Sequence, residues 1–308
     1  MYANFVFINI LLWIHPIYIF LNTKLHKKLM TNSVYLYKNG IFHTCNLLYY
    51  ASKKGLYDIV CLLIKNGVDI HVNGDKVLKS SSSHGHYTIV KLLIENGANI
   101  HAVDEGALRR ASENGHYDIV KLLIENGANI HAHHENALLK ACENGHYDIV
   151  KLLIKNGANI HADDEITLWT ASFYGQYDIV KLLIENGANI HADDDYALQS
   201  ASTEGHYDIV KLLIENGANI YVNNALCGAS KNGHYNIVKL LTQNGNNMYN
   251  VPLLYASENG HYDIVTLLIQ KGANMHVWNN NDLQDALQEA ANNGHYNVVN
   301  LLCFMMGI

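Results

Sequence analysis

The stretch Gly115-His116-Tyr117-Asp118-Ile119-Val120-Lys121-Leu122-Leu123-Ile124-Glu125-Asn126-Gly127 recurs along this chain almost letter for letter. Its first glycine falls at Gly55, Gly85, Gly115, Gly145, Gly175, Gly205, Gly233, Gly260 and Gly294, and the first six of these lie on a strict 30-residue spacing. Self-similarity at such a spacing predicts small units stacked in a line around one continuous core. The length of 308 residues, which alone suggests about two ordinary domains, is therefore read as one array over residues 37–308 behind an apolar segment, 1–29.

Each unit reads as a helix pair. Ile119, Val120, Leu122, Leu123 and Ile124 form a wide apolar stripe at helical spacing, with Lys121 and Glu125 outside it. Asp118 and its counterparts, always Asp, Asn or Thr, can cap this helix or lie in its first turn. Gly127 is expected to end it in the left-handed conformation. A shorter helix lies upstream, with a leucine seven residues before every first glycine, from Leu48 to Leu287. A small residue sits four before it, Ala111 and its equivalents, with Ser81 the exception. Leucine and alanine three apart share a helix face, and the small side chain lets neighbouring helices approach to about 8–10 Å. The fold class expected is all-α, a solenoid of about nine helix-turn-helix units. Length changes fall in the connectors, as surface loops allow.

Bulk composition narrows the function classes. Hydrophobic residues make up 49%, which excludes a disordered chain. The formal charge of −7, from 21 Lys+Arg against 28 Asp+Glu, argues against nucleic-acid binding, which needs a basic face. Cys45, Cys61, Cys142, Cys227 and Cys303 are odd in number and lack metal-site spacing. They read as reduced packing residues of an intracellular chain.

The pattern Ala111-Ser112, Gly115-His116, Ile119-Val120, Leu122-Leu123 and Gly127-Ala128 resembles the ankyrin repeat family. The wording Ile-Glu-Asn-Gly-Ala-Asn-Ile-His is similar to ankyrin proteins of giant DNA viruses of amoebae (mimivirus-like). The resemblance implies a non-enzymatic protein-interaction scaffold in the host cytoplasm, holding a host or viral protein on its concave face. Two departures stand out. Family units usually begin the first helix with Thr-Pro-Leu-His, whereas Gly106-Ala107-Leu108-Arg109 keeps only the leucine, and the connector is three residues short, so its β-turn fingers should be stubby. The last unit ends too soon for the F-box-like domain of some viral relatives.

Residues that look chemical are mostly periodic. His86, His116, His146, His206, His234, His261 and His295 follow the first glycine, where the family uses histidine to bond backbone across the turn between helices. His71, His101, His131, His161, His191 and His276 form a second ladder at the connector start. Rungs a repeat apart cannot share an ion, which needs nitrogen at about 2.0–2.1 Å. The cluster His131-His133-His134 reads as a solvated loop or a metal site, the loop being favoured. Asp163-Asp164-Glu165 and Asp193-Asp194-Asp195 lack an EF-hand pattern and read as solvated tips or helix caps. The tyrosines from Tyr57 to Tyr296 read as packing between repeats. No nucleophile, phosphate loop or paired-cysteine site occurs, so neither catalytic residues, a cofactor nor a small-molecule substrate is expected.

Binding in a repeat array lives where units differ. Between near-identical blocks the connector and first-helix positions vary, and the candidate partner-binding residues are Arg109, Arg110, His133, Lys140, Asp164, Trp169, Phe173, Asp194, Tyr196 and Gln199. Trp169 and Phe173 are four apart on one helix face, and an aromatic beside charges is the usual chemistry of a binding hot spot. Neutral drift of duplicated units would produce the same variation. Residues 1–23 hold no charge and Phe5 to Leu21 is nearly all apolar, with Lys24, Lys27 and Lys28 behind. Seventeen residues fall short of the roughly 20 that span a bilayer. The segment is a membrane anchor, an apolar cap on the first repeat, or an over-extended start before Met30. A membrane-tethered structural or sequestering protein, with the repeats as spacer, is the alternative function.

Overall fold

A computed structural model describes residues 44–221, 223–245, 249–272 and 280–308. They are helical, and no strand occurs among them. The chain divides into two compact units, one ending at Asn129 and one starting at Ile130. The first holds α1 (Thr44–Lys53), α2 (Tyr57–Lys65), α3 (Val72–Ser83), α4 (Tyr87–Glu95), α5 (Ala102–Glu113) and α6 (Tyr117–Glu125). The second holds α7 (Ala132–Glu143), α8 (Tyr147–Lys155), α9 (Ile166–Phe173), α10 (Tyr177–Glu185), α11 (Ala192–Glu204) and α12 (Tyr207–Glu215). It continues with α13 (Asn223–Lys231), α14 (Tyr235–Gln243), α15 (Asn250–Glu258), α16 (Tyr262–Lys271), α17 (Asn280–Asn292) and α18 (Tyr296–Met306). The expected helix pairs are therefore present. The possible anchor at residues 5–21 and His276 lie outside the described residues. Among the described residues no helix is long and apolar enough to cross a membrane.

Within each unit, first helices stack on first helices and second on second, the first row packing the more extensively. The periodic residues explain this. Leu168 and Ala171 of α9 are buried, as are Ile179, Val180 and Leu183 of α10. Alanine at the point of contact leaves the first helices room to close up. Asp178 lies in the first turn of α10 without a side-chain cap bond, where its charge meets the positive end of the helix dipole.

Both glycines of each pair end a helix in the same way. Gly127 has φ +90°, as expected from sequence. In the α9–α10 pair, Gly175 has φ +74° and Gly187 φ +92°. The Gln176 N–H reaches back to the Ala171 carbonyl at 2.9 Å, and the Ala188 N–H to Leu183 at 3.0 Å. These bonds satisfy carbonyls that a helix end otherwise leaves bare.

The tyrosine reading also has structural content. Tyr147, Tyr177, Tyr207, Tyr235 and Tyr262 of the second unit are 36–40% exposed, whereas Tyr296, in the last helix pair, is 73% exposed. The difference is the area that the following repeat covers. Tyr177 accordingly lines one surface pocket together with Asp208, Lys211, Leu212 and Glu215 of the next pair.

The connectors differ from expectation. Instead of stubby β-turn fingers, each full-length connector makes a turn of left-handed helix. Residues 103–105, 133–135, 163–165 and 193–195 all have φ between +46° and +64°. The right-handed parts of α5, α7 and α11 thus begin only after Glu105, Glu135 and Asp195. Left-handed backbone costs L-residues roughly 1–2 kcal/mol each. The cost is sharpest at Val103, a β-branched residue at φ +57°. Because Val103 is largely exposed, Val103→Gly should raise stability by about 1 kcal/mol. A higher urea midpoint checks this, and a lower one would show that the valine side chain matters more than the strain.

Candidate functional site

What offsets that strain is a buried acid. The third residue of each left-handed turn, or its equivalent, is Asp75, Glu105, Glu135, Glu165 or Asp195, and all five are buried. The histidine four residues earlier meets each of them. Nδ1 of His101, His131 and His161 lies 2.5 Å from Glu105, Glu135 and Glu165, and Nδ1 of His71 and His191 lies 3.1 Å from Asp75 and Asp195. Three of these acids also reach the following repeat. The Asn99 N–H donates to Asp75 at 3.2 Å, Asn189 to Glu165 at 3.1 Å and Asn219 to Asp195 at 2.8 Å. The second histidine ladder is thus half of a His–acid ladder that ties repeat to repeat. This corrects the reading of the acidic runs: Glu165 and Asp195 are not solvated tips, and only the two acids before each of them face water.

The first histidine ladder also bridges repeats. His206 Nε2 lies 2.8 Å from the Phe173 carbonyl, His234 3.0 Å from Thr203 and His261 2.9 Å from Lys231. Each accepting carbonyl belongs to the preceding repeat rather than to the histidine's own turn. Gln176 takes the role once and holds the Glu143 carbonyl at a long 3.4 Å.

The variable residues fall on the connectors and first helices. In the first unit, Arg109 donates to the Val103 carbonyl at 3.1 Å and Arg110 pairs with Glu113 at 2.5 Å. In the second unit, Lys140 is half-buried and paired with Glu143. His133 is exposed, and His134 meets Asp163 at 3.3 Å. His131 and His134 thus engage different carboxylates, and among the described residues no three potential ligands gather for a metal.

The aromatic residues pair in a way the sequence does not show. Trp169 of α9 packs edge-on against Tyr196 of α11, with ring centres 5.6 Å apart and planes at 84°. Phe173 instead turns to Tyr174 at 5.1 Å. Tyr174 lies outside the surface expected from sequence, although it is the one tyrosine at a position held elsewhere by Asn five times and by Lys54, His84 and Glu204, which is a readable signal. A small niche of about 10 Å³ lies between the two repeats, lined by Asp164, Glu165, Trp169, Asn189 and Tyr196. Asp164 and Asp194 are exposed at the tips. Gln199 is buried and donates to the Asp194 carbonyl at 2.6 Å, so it fixes the tip.

Burial sets the thiol chemistry. Desolvation pushes Cys227 up to about 11 and Cys142 further still, so both stay protonated near neutrality and act as packing residues. Burial likewise raises the Tyr249 phenol.

A family model for ankyrin repeats, three copies long, matches residues 22–104, 82–164, 108–194, 138–224, 168–251 and 226–308. No curated protein matches the chain. Among solved structures, it is similar to the crystal structure of the human ASB11 ankyrin repeat domain. That match has 27% identity and a TM-score of 0.55, and covers 58% of this chain and 89% of that one.

Proposed function

From the premise that this chain belongs to the ankyrin repeat family, whose arrays are protein-interaction modules, we propose a non-enzymatic scaffold that holds one protein partner on its first-helix face. That face is the concave one of the family resemblance, and a host or viral protein is the partner class that the wording of the repeats suggests. The observation that carries the reading is the contrast between a constant frame and a variable face. The second helices of the six 30-residue repeats are nearly identical, while the connector and first-helix positions hold Arg109, Arg110, His133, Lys140, Asp164, Trp169, Phe173, Asp194 and Tyr196. A frame held by two ladders of inter-repeat bonds loses little entropy on binding. Gln199 serves by fixing Asp194. Free thiols at Cys61, Cys142, Cys227 and Cys303 support a reducing compartment such as the host cytoplasm. The alternative, membrane tethering through residues 5–21, rests on the composition of that segment alone.

Capture of partners from host-cell lysate on the immobilised full chain tests the reading. A specific protein should be retained by wild type and by a variant altered on the second helices, Lys151→Ala with Lys181→Ala. It should be lost with Arg109→Ala, Trp169→Ala and Phe173→Ala combined. Equal loss in both variants would sink the assignment of the face.

A further inference from the structure

We propose that Asn244 is a site of spontaneous covalent modification, the one Asn-Gly link of the second unit that the fold leaves open to conversion into aspartate and isoaspartate. The inference goes beyond the scaffold reading and does not depend on it. The second unit holds eight Asn-Gly links, each at the end of a helix. Glycine has no Cβ to shield its nitrogen, which makes this dipeptide the most reactive of asparagine links. The Gly N–H gives its proton to solvent, and the nitrogen attacks Cγ of the asparagine. A C–N bond forms, the Cγ–Nδ2 bond breaks, and ammonia leaves with a proton taken back from solvent. Water then opens the cyclic imide at either carbonyl, giving aspartate or isoaspartate. Only water is consumed, and nothing is oxidised or reduced.

Attack requires the link to turn out of its helix-end conformation and to release the Gly N–H, so every bond on the glycine slows it. Gly157, Gly187 and Gly217 donate to the carbonyls of Ile154, Ile184 and Ile214 at 3.0 Å. The next N–H in each case adds a second bond, as Ala188 does to Leu183 at 3.0 Å. Gly145, Gly260 and Gly294 donate at 3.3, 3.2 and 3.1 Å. Gly233 has no such bond, but the His261 ring lies 2.7 Å from where its Cβ would stand, and the Asn232 amide is held by the Thr203 carbonyl at 2.8 Å. At Gly245 both guards are missing. Among the described residues no carbonyl accepts its N–H, and the atom nearest to the place of a Cβ is the Tyr221 hydroxyl at 3.4 Å.

Sister links isolate the cause. Asn156, Asn186 and Asn216 are exposed, as Asn244 is, so access to water does not set them apart. All four amides donate to the carbonyl four residues back at 2.8 Å, so the side chain does not either. What differs is the chain beyond. Gly245 and Gly260 are 15 residues apart, against 18 for Gly187 and Gly205, so the exception falls where the array shortens. Either product places a carboxylate at the C-terminal end of α14, where the helix dipole opposes it, and removes the donor to the Leu240 carbonyl. Isoaspartate also lengthens the main chain by one carbon. The array therefore ages first at this helix end.

The test incubates the full wild-type chain in mildly alkaline heavy-oxygen water and follows all eight links by peptide mass spectrometry. The heavy oxygen enters when the imide is opened, which separates modification of the folded chain from modification during digestion. The residues that follow each link differ between repeats, so the peptides are told apart. Asn244 should convert at least about fivefold faster than each of the other seven, the factor that one missing net hydrogen bond supplies. The same incubation in urea removes the guards, and there the eight rates should agree within about twofold. A second link in the second unit converting as fast as Asn244 in the folded chain would overturn the proposal. So would an unchanged lead of Asn244 in urea, because local sequence rather than the fold would then set the rate.

Discussion

Gly175→Ala is expected to destabilise the second unit by about 2–4 kcal/mol, far more than the same change at Gly187. Two costs add at Gly175. Its φ of +74° is one that an L-residue adopts at roughly 1–2 kcal/mol. A Cβ there would also stand 2.6 Å from Cε1 of His206. The ring would have to move, breaking its 2.8 Å bond to the Phe173 carbonyl, a loss of about 1 kcal/mol. Gly187 has φ +92° but nothing within 4 Å of an added Cβ, so it bears the backbone cost alone. The urea midpoints of the two variants measure the difference. Combining Gly175→Ala with His206→Ala separates the terms, because the clash disappears with the ring and the double variant should lose less than the sum. Equal destabilisation by Gly175→Ala and Gly187→Ala would mean that the close approach of the histidine contributes nothing.

That pairing of glycine and histidine shows how far the sequence could be read. The helix pairs were legible because one block of residues recurs with its glycines, its leucine and its alanine at fixed offsets. Each of these acts locally, through helix ends and a single buried stripe. The bonds that join the repeats were not legible, since in each ladder they cross from one repeat to another. His206 bonds a carbonyl 33 residues back, and Asn189 bonds a carboxylate 24 residues back. For the second ladder a signal existed all the same. An acid follows the histidine by four residues at Asp75, Glu105, Glu135, Glu165 and Asp195, and where the connector shortens, Tyr221 replaces the histidine and no acid precedes Leu226. Pair and connector length change together, which marks the two residues as one device. The left-handed turn hid this, because residues such as Val103 and Glu165 seldom adopt positive φ. The surface aromatics were half legible. Helical spacing placed Trp169 and Phe173 on one face, but only tertiary packing could set Trp169 against Tyr196.

Removing the acid should open the array at one seam. Glu165→Ala deletes the charged acceptor of both His161 Nδ1 and the Asn189 N–H. Bonds to charged groups contribute about 1.5–3 kcal/mol, and both donors can turn to water once the acid is gone, so a loss of roughly 2–3 kcal/mol is expected. Glu165→Gln should cost about 1 kcal/mol, since an amide oxygen still accepts the Asn189 N–H. His161→Ala should cost less than about 1 kcal/mol, because the imidazole is more than half exposed and the pair is screened. Urea denaturation should therefore rank Glu165→Ala as the most severe, then Glu165→Gln, then His161→Ala. The location of the damage matters as much as its size. In a stack whose stability is a sum of repeats and nearest-neighbour contacts, a broken interface acts on its two neighbours first. Amide hydrogen exchange should therefore rise from Ala158 to Ser202 while Asn250 to Lys271 keeps its protection. Uniform acceleration along the second unit would instead mean that Glu165 supports the whole stack. The local outcome would make the carboxylate a clasp between two repeats, with no part in the stack beyond that seam.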